Sequence, residues 1–248
     1  MKVFAADLHV HTALSPCASE EMTPPAICRA ALDAGLAMIG VCDHNSAGNV
    51  AAVQAAAAML PGEELAVIAG IEITTVEEVH VAGLFPDAAA ACGAAREAQE
   101  SLPEVDGRDS RFGEQRLMDP EGAIIGAERK VLHMACALDL NACVALIKRY
   151  GGLAIAAHIN RPSYSVISQL GVFPADAGFD AVEFAPMPYA PALGFDLKDL
   201  GLPVLESSDG HYLSDIGSRF CGLEMAEPSF EELVLAIRRS GGRRVRNA

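Results

Sequence analysis

Six short apolar runs in this sequence carry a histidine or a carboxylate at or next to one end: KVFAADLH, AMIGVCDH, LAVIAGIEI, VHVAGLF, LAIAAHI and VLESSDGH. Segments of helical character separate most of them. Apolar runs of this length, alternating with helices, read as the strands of an α/β protein. Polar residues recurring at the strand ends point to a closed or nearly closed barrel of about seven core strands, whose active site lies at the C-terminal rim. A chain of 248 residues suits one such domain.

The helices carry their own punctuation. Thr23-Pro24 reads as a cap followed by proline at the first helical position, with the helix running to about Gly35. NVAAVQAAAAML follows the second strand. A helix over 141–150 starts at Asn141 and stops before Gly151-Gly152, and Ser229-Phe230-Glu231-Glu232 reads as a capping box for the last helix. From Glu72 to His80 there are only eight steps, too few for a parallel crossover. VHVAGLF is therefore expected to run antiparallel to its predecessor, so that Glu72 and His80 share one rim. Residues 86–140 interrupt the barrel rhythm with an alanine-rich helix near 88–100, a polar stretch, and a hairpin turning at Asp119-Pro120-Glu121-Gly122. This segment is expected to cap the site within a single domain of residues 1–248.

Charge and cysteine usage exclude several classes. Net charge is −15, and the basic cluster Arg238, Arg239, Arg243, Arg244 and Arg246 reads as a solvated helix end and tail. Long nucleic acid is a poor partner for such a surface, because duplex binding relies on clustered cations to release counterions. No apolar run reaches the length of about 18 residues that marks a membrane span, and no signal peptide is expected at the N-terminus. Seven scattered cysteines without a C-x-x-C pair argue against a disulfide framework and for a reducing cytoplasm. Neither a G-x-S-x-G elbow nor a P-loop occurs.

The histidines form a constellation. His9, His11, His44, His80, His158 and His211 fall at strand termini facing one rim, while His133 lies in a helix-like segment, KVLHMACAL, and reads as a satisfied core or loop residue. His9 and His11 are two apart and project to one face of a strand, with Asp7 at the same parity placed to hold an imidazole. In Asp43-His44 the histidine is read as the ligand and the aspartate as its orienter. Glu72 sits among apolar residues and needs a charge partner there, for which a metal is the natural choice. His158 ends an apolar strand, and Asp209 and His211 again stand two apart. The candidate ligands read from the chain are His9, His11, His44, Glu72, His80, His158, Asp209 and His211. One catalytic ion uses three or four protein ligands, so two or three divalent ions are expected. Imidazole and carboxylate donors suit Zn²⁺, Mn²⁺ or Fe²⁺ without choosing among them. Paired ions of this kind generate hydroxide from water and clamp both oxygens of a phosphoryl displacement. Arg161, three residues after His158, is a candidate for gripping a substrate phosphate, with Arg219 second. Asp43, Asp209 and His211 are the candidate catalytic groups.

DLHVHT, CDHN, GIEIT followed by VHVAGLF, AAHINRP and SSDGH, in this order, resemble the motifs of the PHP family, the polymerase and histidinol phosphatase domains. The resemblance implies a distorted (β/α)7 TIM-like barrel with a two- or three-metal centre. It places His9, His11, Glu72 and Asp209 at one ion, Glu72 as bridge with His80 and His158 at a second, and His44 with His211 at a third. Cys17 stands where relatives often carry another histidine of the third site. A thiolate binds Zn²⁺ or Fe²⁺ well and Mn²⁺ or Mg²⁺ poorly. The expected function is a metal-dependent phosphoesterase on a small phosphorylated substrate, a nucleotide, histidinol phosphate or sugar phosphate. The alternatives are a nuclease or nucleotide phosphodiesterase acting on short oligonucleotides, and a catalytically silent metal-binding regulatory module.

Overall fold

The computed structural model describes residues 1–62, 64–106, 113–185 and 193–246. Part of the polar stretch inside segment 86–140, residues 107–112, lies outside the described residues. The first half of the chain alternates strand and helix: β1 (Lys2–Val10), α1 (Pro24–Asp33), β2 (Met38–Val41), α2 (Val50–Ala58) and β3 (Ala66–Thr74). Then β4 (His80–Phe85) and α3 (Ala88–Glu100) lead into the hairpin β5 (Arg116–Met118) and β6 (Ile124–Ala127). The rhythm resumes with α4 (Leu140–Arg149), β7 (Leu153–Ala156), α5 (Val166–Leu170), β8 (Ala181–Phe184) and β9 (Val204–Glu206). It closes with β10 (Cys221–Met225), α6 (Phe230–Ile237) and β11 (Arg244–Arg246).

Among the described residues, nine strands form one sheet in the order β11-β10-β1-β2-β3-β4-β7-β8-β9. The pairs β1–β2, β2–β3, β7–β8 and β8–β9 are parallel, whereas β4 is antiparallel to both β3 and β7. Past β9 the chain returns to β1: Gly210 bridges Val10, and the His11 N–H donates to the Gly210 carbonyl at 2.9 Å. The sheet is thus a nearly closed, distorted TIM-like barrel. The antiparallel β3–β4 pair, with Thr74 opposite His80, is the arrangement that the short step between Glu72 and His80 requires.

Helices coat this sheet where small side chains permit it. α3 buries Ala91, Ala94, Ala95 and Ala98 against β3 and β4, so the helix of the 86–140 segment belongs to the barrel wall. The hairpin goes elsewhere. Its Arg116 N–H donates to the carbonyl of Ala13 at 3.1 Å, in the loop after His11, and its Met118 N–H to Asn49 Oδ1 at 2.9 Å. The turn is closed by Asp119, whose carbonyl accepts from Gly122 and whose Oδ1 accepts from Ala123.

Four local expectations differ from the structure. α4 is capped by Asp139, which accepts from Ala142, and not from Asn141. Ser229 caps α6, but Glu232 does not complete a box: its carboxylate is taken by the Ala226 N–H and the Arg243 guanidinium. The C-terminal arginines are not a loose tail, since Arg244 and Arg246 flank Glu224 across the β10–β11 pair. Residues 131–138 form no helix around His133, because their backbone groups serve Asn45, Gln115 and Thr74 instead. No helix among the described residues is long and apolar enough to cross a membrane.

One irregularity in β1 sets the rim. Asp7 pairs with Ile39 and Val10 with Val41, so β1 holds one residue more than β2 over this stretch. An extra residue of this kind reverses which side chains share a face. Gly40 of β2 lies against the bulged stretch, where an added Cβ would stand 2.3 Å from the Leu8 carbonyl oxygen. Gly40→Ala is therefore expected to cost about 1–3 kcal/mol of stability, read as a lower denaturation midpoint; an unchanged midpoint would show that β1 can yield here.

Candidate metal centre

Glu72 is the hub of the rim. It is completely buried near the end of β3, where its N–H donates to the Asp43 carbonyl at 3.0 Å and its carbonyl accepts from Asn45 at 2.7 Å. Five imidazoles surround its carboxylate. Oε1 lies 2.8 Å from His80 Nδ1, 3.0 Å from His158 Nε2 and 3.5 Å from His9 Nε2. Oε2 lies 2.9 Å from His44 Nδ1 and 3.6 Å from His11 Nε2. Asp209 closes the group, with Oδ1 3.2 Å from His11 Nε2 and 3.7 Å from His9 Nε2. His158 and Asp209 reach these positions in the left-handed region, at φ +28° and +51°. Such strain in non-glycine residues costs on the order of 1–3 kcal/mol each and clusters at functional sites.

The packing of titratable groups perturbs several of them. Burial would raise Glu72, yet His80 and His9 hold it well below the usual carboxylate range. Burial likewise opposes ionisation of Asp209, but the neighbouring imidazoles of His11, 3.2 Å away, and His9 keep it low. His9 is pulled down by burial and raised well above the usual value by Glu183 and Glu72. Burial pushes His80 down to about 4 despite Glu72, and burial with the neighbouring His211 lowers His11. Perturbed groups gathered in this way mark functional sites.

A supporting layer orients the imidazoles. Glu183, on β8, accepts His9 Nδ1–H with both oxygens at 3.0 Å, which turns His9 Nε2 toward the rim. It also accepts the His158 N–H at 3.1 Å. Ser15 Oγ accepts from His11 Nδ1 at 2.9 Å and donates to Asp43 Oδ1 at 2.7 Å, which frees His11 Nε2 in turn. His211 Nδ1–H donates to the Asp209 carbonyl at 2.8 Å. This carboxylate-to-imidazole support is what metal-ligating histidines ordinarily have.

Several sequence expectations change here. Asp43, read as the orienter of His44 and a candidate catalytic group, has its oxygens occupied by Thr12 and Ser15 in complete burial and reaches His11 through Ser15. Asp7 does not hold an imidazole. The bulge breaks its parity with His9, and it accepts the N–H groups of Ser208 and Gly217. Glu183 takes that role instead; in FDAVEF it carries no local signal beyond being a carboxylate in a short strand. Arg161 reaches the rim as a cation on Asp209 Oδ2, whereas Arg219 pairs at 3.4 Å with Glu206 on the surface. Cys17 is exposed, with Sγ 3.2 Å from His44 Nε2. Burial alone would raise its thiol; His211 and His44 bring it down to about 6. His133 is pushed down by burial and by the nearby His44, which places it beside the site and not in a distant core.

The donors fit divalent ions. One ligand atom each from His9, His11, Glu72 and Asp209 falls within 4.8 Å of all the others, as do those from His44, Glu72 and His80, and from His11, His44 and His211. His158 adjoins the second set, 3.2 Å from His80 Nδ1. His9 Nε2, His44 Nδ1 and Glu72 Oε2 are buried without a hydrogen bond. Orphaned donors and acceptors in burial are costly, and a cation shared by these lone pairs would satisfy them.

No protein-family model matches the sequence, and no curated protein does. Solved structures do match in shape. The lesion-specific endonuclease Q of Pyrococcus furiosus superposes with a TM-score of 0.72 at 19% identity, over 98% of this chain and 58% of its own. A second endonuclease Q structure, in complex with a 27-mer duplex bearing an abasic lesion at the active site, matches with a TM-score of 0.72 at 18% identity and the same coverage. A two-domain protein of Bacteroides vulgatus containing a predicted PHP-like metal-dependent phosphoesterase matches at 0.58 and 17% identity, over 96% of this chain and 64% of that one. The chain shares its fold with these structures. The chain spans little more than half the length of endonuclease Q, so it corresponds to part of that protein.

Glu183→Gln should lower the affinity for a bound divalent ion about 10–100-fold while the fold persists, measured by competition with a chelator. An unchanged affinity would mean that Glu183 only fills space beside His9.

Proposed function

We propose that this chain is a metal-dependent phosphoesterase of the PHP family, one barrel domain acting on a small phosphorylated substrate. The observation that carries the reading is Glu72, a buried carboxylate ringed by five imidazoles with lone pairs left unsatisfied. Two or three ions would be held by His9, His11, Glu72 and Asp209, by Glu72, His44, His80 and His158, and by His11, His44 and His211 with Cys17 beside them. Bound ions would supply Lewis acidity at phosphorus and an activated water at neutral pH. Zn²⁺, Mn²⁺ and Fe²⁺ all suit such donors.

The protein's own residues do the rest. Glu183 and the Asp43–Ser15 pair fix the tautomers of His9 and His11, so each presents Nε2 to the rim. Arg161, in its resting pair with Asp209, is placed to exchange that carboxylate for a substrate phosphate, a planar fork meeting a multidentate anion. His211, part-exposed and donating from Nδ1 to a carbonyl, keeps Nε2 for the third set of donors; where that set holds no ion, a protonated Nε2 would be placed to serve the leaving oxygen. The β5–β6 hairpin, against the loop that follows His11, is the part of segment 86–140 that would shape access. The free thiols fit a reducing, cytoplasmic setting.

A second reading has its own support. The likeness to endonuclease Q, whose complex holds a lesioned duplex, favours cleavage of nucleic acid. The net charge of −15 favours the smaller substrate.

Chelator-stripped protein should be inactive on an aryl phosphate and on mononucleotides, and regain turnover with Mn²⁺, Fe²⁺ or Zn²⁺. Glu72→Gln and His9→Ala should lose bound metal and activity together. Full activity in metal-free variants would end the proposal, and cleavage of an abasic duplex in preference to every small ester would select the second reading.

A further inference from the structure

Tyr164 is used by nothing described so far. It stands in the loop that leaves β7, three residues after Arg161, at φ +57°. A bulky residue in the left-handed region is strained unless its surroundings hold it there. Both ends of this loop are held. Asn160 exchanges hydrogen bonds with Ala185 at 2.9 and 3.1 Å, and Ser165 caps α5 while donating to the Arg161 carbonyl at 2.8 Å. The strained backbone places the Tyr164 carbonyl 2.8 Å from the His80 N–H. It also lays the phenol ring on the His80 imidazole, with centroids 4.7 Å apart and planes at 25°.

One face of the ring is thus used and the residue remains 42% exposed, among the larger exposed apolar side chains of the protein. Arg161 and Tyr164 flank the cluster from one loop: the guanidinium lies on Asp209, the phenol on His80. A phosphate held by Arg161 would therefore have an aromatic surface next to it. Exposed aromatic rings beside a phosphate-binding cation accept planar rings by stacking, and every nucleobase offers such a face.

We infer that Tyr164 is a specificity residue that stacks an aromatic ring carried by the alcohol of the phosphoester, so the preferred substrates are nucleoside or aryl phosphates. This rests on the phosphoesterase reading above and names its substrate class. Stacking on His80 alone would make Tyr164 a mere support for a ligand, and the two roles separate experimentally.

With metal-loaded protein, kcat/KM is measured for adenosine monophosphate, p-nitrophenyl phosphate and glycerol phosphate in wild type, Tyr164→Phe and Tyr164→Leu. Bound metal is quantified in each. Wild type should prefer the aromatic esters. Tyr164→Phe should keep that preference. Tyr164→Leu should lose about tenfold on an aromatic ester, through KM, with glycerol phosphate turnover and metal content unchanged. Loss on adenosine monophosphate alone assigns the ring to nucleosides; loss on both aromatic esters assigns it to aryl groups in general. An equal loss on all three esters, a fall in bound metal, or no aromatic preference in wild type would overturn the assignment. Calorimetric titration with adenosine monophosphate reads the same contact without turnover. Binding that weakens about tenfold in Tyr164→Leu supports stacking even if wild type hydrolyses none of the three, an outcome that would remove only the phosphoesterase reading.

Discussion

A carboxylate buried without counter-charge is among the most expensive things a fold can contain, and Glu72 is buried completely. The rim is organised around that demand. Strands β1 and β4, and the loops that follow β1, β2, β7 and β9, converge on it with imidazoles or a second carboxylate. The donors face one another at 2.8–3.7 Å, too crowded to be independent hydrogen-bonding partners. They shift one another's protons, with Glu72 and His80 lowered and His9 raised, and leave buried polar atoms without a hydrogen bond, which is the electrostatic profile of a cavity shaped for cations.

Around this centre the protein invests in orientation. Glu183 grips His9, and Asp43 reaches His11 through Ser15, so two carboxylates that contribute no ligand decide which nitrogen each ligand presents. Asn45, Asn49 and Asn160 tie the rim loops to backbone carbonyls on neighbouring segments. Such cross-links explain how left-handed residues persist at the ends of strands. The strain at His158 and Asp209 is held by a polar framework that would otherwise have no reason to be buried.

Much of this was readable from the chain. Histidines at strand ends announce a rim, and the eight-residue step from Glu72 to His80 implies an antiparallel pair without any view of the sheet. Other features are relations between strands, and no single segment encodes them. The extra residue of β1 exists only by comparison with β2, so the parity rule applied to Asp7 and His9 failed at that point. Glu183 looks like any glutamate of a short strand until β8 is set beside His9. The terminal arginines read as solvated because their partners, Glu224 and Glu232, are distant in pattern although adjacent in space. Tyr164 has no sequence signal at all, since its meaning lies in a backbone angle and a stacking partner.

The bulge in β1 has a consequence for how this wall is specified. It lets Asp7 accept the backbone N–H groups of Ser208 and Gly217 while His9, only two residues further on, faces Glu72. A strand without the extra residue would put both side chains on one face. The histidine pair is thus addressed by counting as much as by identity, because the spacing of Asp7 and His9 along the chain does not by itself give the faces they occupy.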